Sequence, residues 1–204
     1  MTIRLHRGDL PDLSAYTGAV AIDTEAMGLD VNRDRLCVVQ LSPGDGSADV
    51  VQIAAGQPRA PNIERLLADP GKRKIFHFAR FDIGLLAKAF GVMAGPVYCT
   101  KIASRLARTY TDKHGLKDLA REVLGVDLSK QQQLSDWGAD SLSDAQVSYA
   151  ATDVLYLHAL REKLDAMLAR EGRAELAAAC FRFLPDRARL DLAGWAADDI
   201  FAHS

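Results

Sequence analysis

The sequence predicts an α/β fold in which helices cover a sheet of mixed strand direction. Short runs rich in β-branched residues alternate with turns in the first half of the chain, and 3.6-residue apolar periodicity dominates from Thr100 onward. A Pro-Gly-Asp-Gly turn at residues 43–46 joins two of these runs, so we expect an antiparallel hairpin between them. The order of elements, strands first and helices after, favours a sheet covered by helices.

Five strands are expected in the first half of the chain, at residues 19–23, 35–42, 48–54, 74–78 and 96–99. Two stretches between them carry apolar residues at helical spacing, at residues 62–68 and 80–90. The second half is predicted to be helical almost throughout. Ser143 and Gln146 have the spacing of a capping box, which predicts that a helix begins there.

The length of 204 residues is sufficient for a sizeable hydrophobic core, and we expect one domain over residues 1–170 with a helical extension over 171–204 packed on it. The N-terminus has no apolar segment typical of a signal peptide, and no apolar run approaches the ~20 residues needed to span a bilayer. Three distant cysteines outside any C-x-x-C pattern favour reduced thiols, and hence a cytoplasmic protein without membrane contact. The net charge of −2 neither indicates nor excludes a nucleic-acid partner.

Two carboxylates, Asp23 and Glu25, follow the apolar run at residues 19–22. Side chains two apart on a strand point to the same face, so these acids project together if the strand continues through Glu25. Two close anions repel each other unless a cation lies between them, and Mg²⁺ or Mn²⁺ prefers carboxylate oxygens. We therefore interpret the pair as a candidate metal site, and a solvated strand end is the alternative.

Two further acids lie on predicted helices. Asp82 comes early in a helix just after a strand, where it is either part of a site at the sheet edge or an acid that interacts favourably with the helix dipole. Tyr149 and Asp153 are four residues apart on a predicted helix, and hence share one face in a largely apolar stretch. An aspartate there must be paired, metal-bound or at the rim, and a plain hydrogen bond between the two side chains is also open.

Together the three stretches provide four carboxylates and a tyrosine, which can hold two divalent ions about 3.5–4 Å apart. In this order they resemble the ribonuclease D branch of the DEDD 3′–5′ exonucleases, in its tyrosine-containing (DEDDy) subclass. The matching motifs are D-x-E at 23–25, the strand-turn-helix at 77–82 and Y-x-x-x-D at 149–153. A K-x-x-Q-x-S-D-W signature also matches, formed by Lys130, Gln133, Ser135, Asp136 and Trp137.

The resemblance covers roughly residues 15–170 and implies a ribonuclease H-like fold, with a five-stranded mixed sheet whose second strand is antiparallel. It implies a nuclease domain alone, which hydrolyses 3′-terminal phosphodiesters of single-stranded RNA to nucleoside 5′-monophosphates with two ions, Mg²⁺ or Mn²⁺. Asp23, Glu25 and Asp153 would hold one ion. Asp23 and, through water, Asp82 would hold the other, and Tyr149 would orient the attacking water.

Three other functions fit part of this pattern. A DNA 3′–5′ exonuclease would use the same chemistry, and nothing in the sequence reads a 2′-hydroxyl. A catalytically inactive nucleic-acid-binding module would have lost one or more of the acids, and none is missing here. A phosphatase acting on small phosphorylated substrates would leave the K-x-x-Q-x-S-D-W segment unexplained.

Substrate contacts are expected from residues near the motifs, namely Thr24, Met27, Leu29, His77, Phe81, Lys130 and Gln133. Core packing is the alternative for Met27, and it is slightly favoured. Several basic residues in the helices before the third motif are candidates for phosphate contacts or for a solvated face, namely Lys101, Arg105, Arg108, Lys113, Lys117 and Lys130. For Trp137, burial in the core is favoured over stacking on a base. Phe78 stands where many members of that family have a small or amide residue.

Overall fold

A computed structural model describes residues 1–128, 132 and 134–203 of the chain. Its centre is a six-stranded sheet with the strand order β1-β4-β3-β2-β5-β6. The strands are β1 (Thr2–Arg7), β2 (Val20–Ala26), β3 (Leu36–Ser42), β4 (Ser47–Gln52), β5 (Lys74–Phe76) and β6 (Val97–Cys99). β3 is antiparallel to β2 and to β4, whereas the other neighbouring strands pair in parallel. The predicted mixed sheet and the hairpin at residues 43–46 are therefore confirmed. The strand predicted as the second one, at residues 35–42, is β3, and its antiparallel direction is confirmed as well.

The expected number of five strands is wrong by one, because the N-terminal residues form the edge strand β1. The pattern of β1 is the reverse of an ordinary strand: Leu5 is 45% exposed, whereas Arg4 and His6 are less exposed. Arg4 Nε and His6 Nε2 lie 2.6 and 2.7 Å from Oδ1 of Asp49, a buried residue on β4. Polar pairing across the sheet edge, which apolar periodicity does not report, thus stabilises this strand.

Seven helices are present among the described residues, and a π-helical turn (Asp191–Trp195) follows the last of them. They are α1 (Pro61–Ala68), α2 (Ala79–Phe90), α3 (Thr100–Ala107), α4 (Leu116–Leu124), α5 (Asp144–Leu155), α6 (Leu157–Arg170) and α7 (Ala174–Leu190). The predicted capping box is confirmed, because the Ser143 hydroxyl accepts from the backbone N–H of Gln146 at 3.3 Å. Within the part of the chain that the structure describes, every helix is too short or too polar to cross a bilayer.

The sheet separates two hydrophobic layers. On one face Ile22 and Val39 pack with apolar residues of α2 and α7, and on the other Ala21 and Val38 pack with α5 and α6. Trp137 belongs to the second layer and is 3% exposed, as its interpretation as a core residue predicted. α7 contacts α2 and β6, so it packs on the same core, and the domain boundary expected at residue 170 stays a prediction. This packing brings the end of β2, the start of α2 and one face of α5 together.

Candidate active site

The acids of the first motif lie at the end of a central strand. β2 continues through Ala26, so Asp23 and Glu25 point to the same face of the sheet, toward α5. Thr24 lies between them, points to the opposite face and is buried. The pairing of β2 with β3 shifts between Glu25 and Ala26, which marks the point where the strand leaves the sheet.

Asp153 of α5 joins this pair and completes a cluster of three carboxylates. Oxygen atoms of Asp23, Glu25 and Asp153 all lie within 4.8 Å of one another. The ion pairs found among residues 1–128, 132 and 134–203 do not include any of these acids. A site that offers only oxygen ligands and has no protein cation to offset its charge suits a hard divalent ion such as Mg²⁺ or Mn²⁺.

The fourth acid approaches from the other face of the sheet. α2 begins after Phe78, whose backbone is left-handed (φ 71°), and Asp82 lies in the first turn of that helix. Asp82 is 4% exposed, and its Oδ1 accepts a hydrogen bond of 2.7 Å from the hydroxyl of Thr24. It therefore lies beside the three-carboxylate cluster and is held by the middle residue of the first motif.

The pKa values of all four acids are raised in this arrangement. Burial, together with the negative charges of Asp82, Asp153 and Glu25, raises the pKa of Asp23 well above its usual range. Burial and the charges of Asp153 and Asp82 raise the pKa of Glu25 to about 8. Burial raises the pKa of Asp82 to about 7, although its hydrogen bond from Thr24 opposes that shift, and burial raises the pKa of Asp153 to about 7. The ionised carboxylates thus repel one another, and a bound cation would reduce this repulsion.

Tyr149 lies one helical turn before Asp153 on the same face of α5. Its ring packs against Trp137 with a centroid separation of 6.1 Å. Burial and the charges of Asp153, Glu25 and Asp23 raise the pKa of Tyr149 far above its usual range. The hydroxyl is therefore protonated at neutral pH and available as a hydrogen-bond donor.

The four acids and Tyr149 lie in an open cleft of about 540 Å³. Five of the residues expected to contact substrate also line it, namely Thr24, Met27, Leu29, His77 and Phe81. Met27 is 55% exposed and Leu29 90% exposed, so the favoured assignment of Met27 to the core is wrong. The reason is that β2 ends at Ala26, and the chain leaves the core before these two side chains. Lys130 and Gln133 fall outside the described residues.

His77 lies in the cleft at the junction between β5 and α2. Its Nδ1 is 2.8 Å from the hydroxyl of Thr100, and its Nε2 is buried without a hydrogen-bond partner among the described residues. Burial lowers the pKa of His77 to about 3, with a smaller contribution from the charge of Lys101. The ring is therefore neutral at physiological pH and does not supply a positive charge for phosphate.

The basic residues expected to contact phosphate do not share one location. Lys101 and Lys117 line the cleft, and Lys101 Nζ lies 4.4 Å from the centroid of the Phe78 ring. Arg105 and Lys113 are exposed but do not line the cleft. Arg108 is completely buried, and its guanidinium bonds Ser104, the Lys113 carbonyl and Glu122, so both alternatives for it, a phosphate contact and a solvated face, are wrong.

The cleft also contains residues that sequence reasoning did not assign to it. Phe78 is 46% exposed in the cleft wall, and its only sequence signal was its position directly after His77. Other lining residues come from the start of α4 and from the segment before α5, namely Leu116, Leu128, Leu134 and Ser135. Ser135 belongs to the K-x-x-Q-x-S-D-W signature, whereas the three leucines lie outside every matched motif and reach the acids only through the tertiary fold.

Comparison with known proteins finds a family model described as 3′–5′ exonuclease, which matches residues 10–169. The chain is similar to ribonuclease D of Acidiphilium cryptum, with 37% identity over 166 residues, covering 81% of this chain and 42% of that protein. The chain thus spans less than half the length of this curated relative. Ribonuclease D of Escherichia coli, a solved structure, shares 26% identity and a TM-score of 0.73 over 84% of this chain and 45% of that one.

The similarity to NrnC of Brucella melitensis extends over both chains completely. Its structure with bound Mg²⁺ has 61% sequence identity to this chain and a TM-score of 0.97, and covers 100% of each. Its structure bound to pGG has 62% identity and a TM-score of 0.98 over the same complete coverage.

Proposed function

Because this chain belongs to the ribonuclease D-like 3′–5′ exonuclease family, we propose that it removes nucleotides from the 3′ ends of single-stranded RNA by metal-dependent hydrolysis. The observation that carries this proposal is the convergence of three carboxylates within 4.8 Å at the floor of an open cleft. The products would be a nucleoside 5′-monophosphate and an RNA shortened by one residue, with a new 3′-hydroxyl.

The donor set fits two divalent cations, either Mg²⁺ or Mn²⁺. Asp23, Glu25 and Asp153 would hold one ion, and Asp23 with Asp82 would hold the second. When bound, the ions would lower the pKa of a coordinated water and stabilise the negative charge on the leaving oxygen. The Mg²⁺ in the structure of Brucella melitensis NrnC supports this assignment, because that protein aligns with the whole chain.

The side chains of the site would position the reacting groups. The protonated hydroxyl of Tyr149 would donate a hydrogen bond to the water that attacks the terminal phosphorus and so orient it. Glu25 would accept a hydrogen bond from the 3′-hydroxyl of the terminal nucleotide. The bond between phosphorus and the 3′ oxygen of the preceding nucleotide breaks, and that oxygen leaves as the new 3′ end.

Substrate binding would combine apolar contacts with phosphate contacts. Met27, Leu29 and Phe81 offer exposed or half-buried apolar surface to the bases, with Phe78 beside them. Among the described residues, the lysines that line the cleft are Lys101 and Lys117, and they would contact phosphates. Thr24, His77, Lys130 and Gln133 stay predicted contacts.

We favour short RNA as the substrate class, and DNA is the second candidate. The structure of Brucella melitensis NrnC bound to pGG supports a short guanosine-containing strand in a site of this kind. The three free thiols support a reducing, cytoplasmic location.

The test is a gel assay on 5′-labelled, single-stranded RNAs of increasing length, beside DNAs of the same sequence. Reactions would contain Mg²⁺, Mn²⁺ or EDTA, with wild type, Asp153→Asn and, as a matched control, Glu162→Gln on the exposed face of α6. We expect stepwise shortening from the 3′ end that EDTA and Asp153→Asn abolish and Glu162→Gln leaves unchanged. If the RNA stays intact under every metal condition but is retained by the protein, the result would contradict the exonuclease and favour a nucleic-acid-binding module.

A further inference from the structure

The residues that follow α7 contact α2 through one buried carboxylate, that of Asp191. Asp191 is 5% exposed, and each of its oxygens is bonded. Arg80 of α2 donates to it through Nε at 2.5 Å and through Nη2 at 2.7 Å. Arg187 of α7 donates to Oδ1 through Nη2 at 2.7 Å and through Nε at 3.0 Å. One carboxylate thus joins two helices that are far apart in the sequence.

The same two arginines also close the π-helical turn against α2. Arg80 donates to the carbonyl of Ala196 at 2.6 Å, and Arg187 donates to the carbonyl of Trp195 at 2.5 Å. Arg80 lies two residues before Asp82 in the first turn of α2. The C-terminal residues are therefore connected to the helix turn that carries one of the candidate metal ligands.

A further bond connects Asp191 to the loop after β2. Nδ2 of Asn32 donates to the backbone carbonyl of Asp191 at 3.0 Å. Lys88 of α2 donates from its Nζ to the backbone carbonyl of Asn32 at 2.7 Å. This loop begins with the exposed residues Met27 and Leu29, so it is held from two sides just beyond the side chains that face the cleft.

These contacts form one wall of a second groove that continues from the active-site cleft. The groove has a volume of about 560 Å³, and its lining includes Arg80, Asp191 and Ala196. Leu29, Phe78 and Phe81 line both the groove and the cleft. The spacing between the loop and the start of α2 therefore sets the width of the passage between the two.

We propose that Asp191 is a positioning residue for substrate binding. Together with Arg80, Arg187 and Asn32, it holds the loop after β2 and the first turn of α2 at the separation that a single-stranded RNA requires. Bidentate arginine–carboxylate pairs have narrow geometry, and they keep neighbouring elements at one spacing. Asp191 lies beyond residues 10–169, the part of the chain that the 3′–5′ exonuclease family model matches. This inference rests on the proposed function.

The expected effect is on substrate affinity and not on the chemical step. Loosening the loop and helix leaves the three-carboxylate cluster intact, because Asp23, Glu25 and Asp153 are held by β2 and α5. The fourth acid, Asp82, keeps its own hydrogen bond from the hydroxyl of Thr24 on β2. If the loop after β2 and the first turn of α2 shift, the bases of the RNA no longer fit between them. KM and the equilibrium dissociation constant then rise, while kcat stays close to the wild-type value.

The two test variants are Asp191→Asn and Arg187→Gln. Arg187 is not among the residues that line either the groove or the cleft, so its effect cannot come from a lost substrate contact. Arg187→Gln also leaves Asp191 paired with Arg80. This variant should therefore stay folded and keep the test possible even if Asp191→Asn unfolds. Arg189→Gln is the matched control, because Arg189 lies on the same helix and pairs with Asp186 at the exposed surface.

The measurements are equilibrium binding of a short labelled RNA in Ca²⁺ by fluorescence anisotropy, and steady-state cleavage in Mg²⁺. We expect Arg187→Gln and Asp191→Asn to raise both the dissociation constant and KM about tenfold, with kcat within about twofold of wild type. Arg189→Gln should match wild type in every value. Binding within about twofold of wild type in folded Arg187→Gln, or a fall in kcat with unchanged binding, would overturn the proposal.

The two proposals fail in different ways in this experiment. Wild-type protein that binds RNA but never shortens it would refute the proposed exonuclease activity, and the binding comparison would still decide the role of Asp191. Wild-type protein that does not bind RNA would overturn the positioning role as well.

Discussion

The hydroxyl of Thr24 donates a hydrogen bond of 2.7 Å to Oδ1 of Asp82. Side chains alternate along a strand, so Thr24 faces α2 while Asp23 and Glu25 face α5. One strand end therefore presents two acids on one face and anchors a further acid from the other. The D-x-E motif uses its middle residue as well as its ends.

Thr24→Val should destabilise the protein by about 1–3 kcal/mol, because the buried carboxylate of Asp82 loses a hydrogen-bond donor. Thr24→Ser keeps the hydroxyl and should retain most of the stability. The measurement is urea unfolding in EDTA at a pH where Asp82 is ionised. A loss in Thr24→Val no larger than the loss in Thr24→Ser would contradict the stabilising role of this hydrogen bond.

Stability of the metal-free protein should fall as the pH rises from about 4 to about 8. The folded-state pKa of Glu25 is raised to about 8, and those of Asp82 and Asp153 to about 7. Each acid binds its proton more tightly in the folded chain than in the unfolded chain. Its contribution is therefore full below about pH 4 and is lost as the pH rises through its folded-state pKa.

Mg²⁺ offsets the same charges, so its stabilising effect should grow between about pH 6 and pH 8. The measurement is the melting temperature with saturating Mg²⁺ minus that in EDTA, across this range. Asp153→Asn removes one charge and should raise the melting temperature in EDTA while reducing the response to Mg²⁺. Glu162→Gln is the exposed control, and a Mg²⁺ effect that does not depend on pH would contradict the prediction.

Tyr149→Phe should lower kcat about 10²-fold without weakening the binding of Mg²⁺. The ring that packs on Trp137 at 6.1 Å is retained in phenylalanine, so the change removes only the hydroxyl. Single-turnover cleavage and the Mg²⁺-dependent melting shift measure the two properties separately. Tyr156→Phe, outside the cleft at the end of α5, should have no effect on either. A parallel loss of Mg²⁺ response would assign Tyr149 a structural role instead.

Lys101→Met should weaken RNA binding and reduce its dependence on salt. Lys101 lines the cleft with its Nζ 4.4 Å from the Phe78 ring centroid, where its charge can meet a phosphate. One lost phosphate contact lowers the slope of log K against log salt by about 0.7 for a single strand. Lys113→Met, at an exposed position outside the cleft, is the matched control and should keep the wild-type slope. Identical slopes for the two variants would remove Lys101 from the binding surface.

Some features of this protein follow from local sequence alone. The spacing of Ser143 and Gln146 predicted the start of α5, and the spacing of Tyr149 and Asp153 predicted that they share a face. Both predictions rest on helix geometry, which depends only on neighbours within one or two turns. The alternation of Asp23 and Glu25 is equally local, since it depends on the two-residue period of a strand.

Other features depend on residues that are distant in the sequence. The edge strand β1 turns Arg4 and His6 toward Asp49, a partner more than forty residues away, so its apolar periodicity does not mark it as a strand. The sequence made Arg108 a candidate for a phosphate contact or for a solvated face. Glu122 and neighbouring polar groups instead allow it to be completely buried. Neither partner is visible from the periodicity around the residue itself.

The sequence by itself determined which acids and which tyrosine are the candidates for the chemistry, the α/β class, and the antiparallel second strand. Its residue types and local spacings are sufficient for these, because each reports a short-range geometric rule. Only the tertiary structure decided that three carboxylates lie within 4.8 Å of one another and that Asp191 connects the C-terminal turn to α2 and to the loop after β2. Such distances arise from the packing of β2, α2, α5 and α7 on one core, where contacts between remote segments set the final positions.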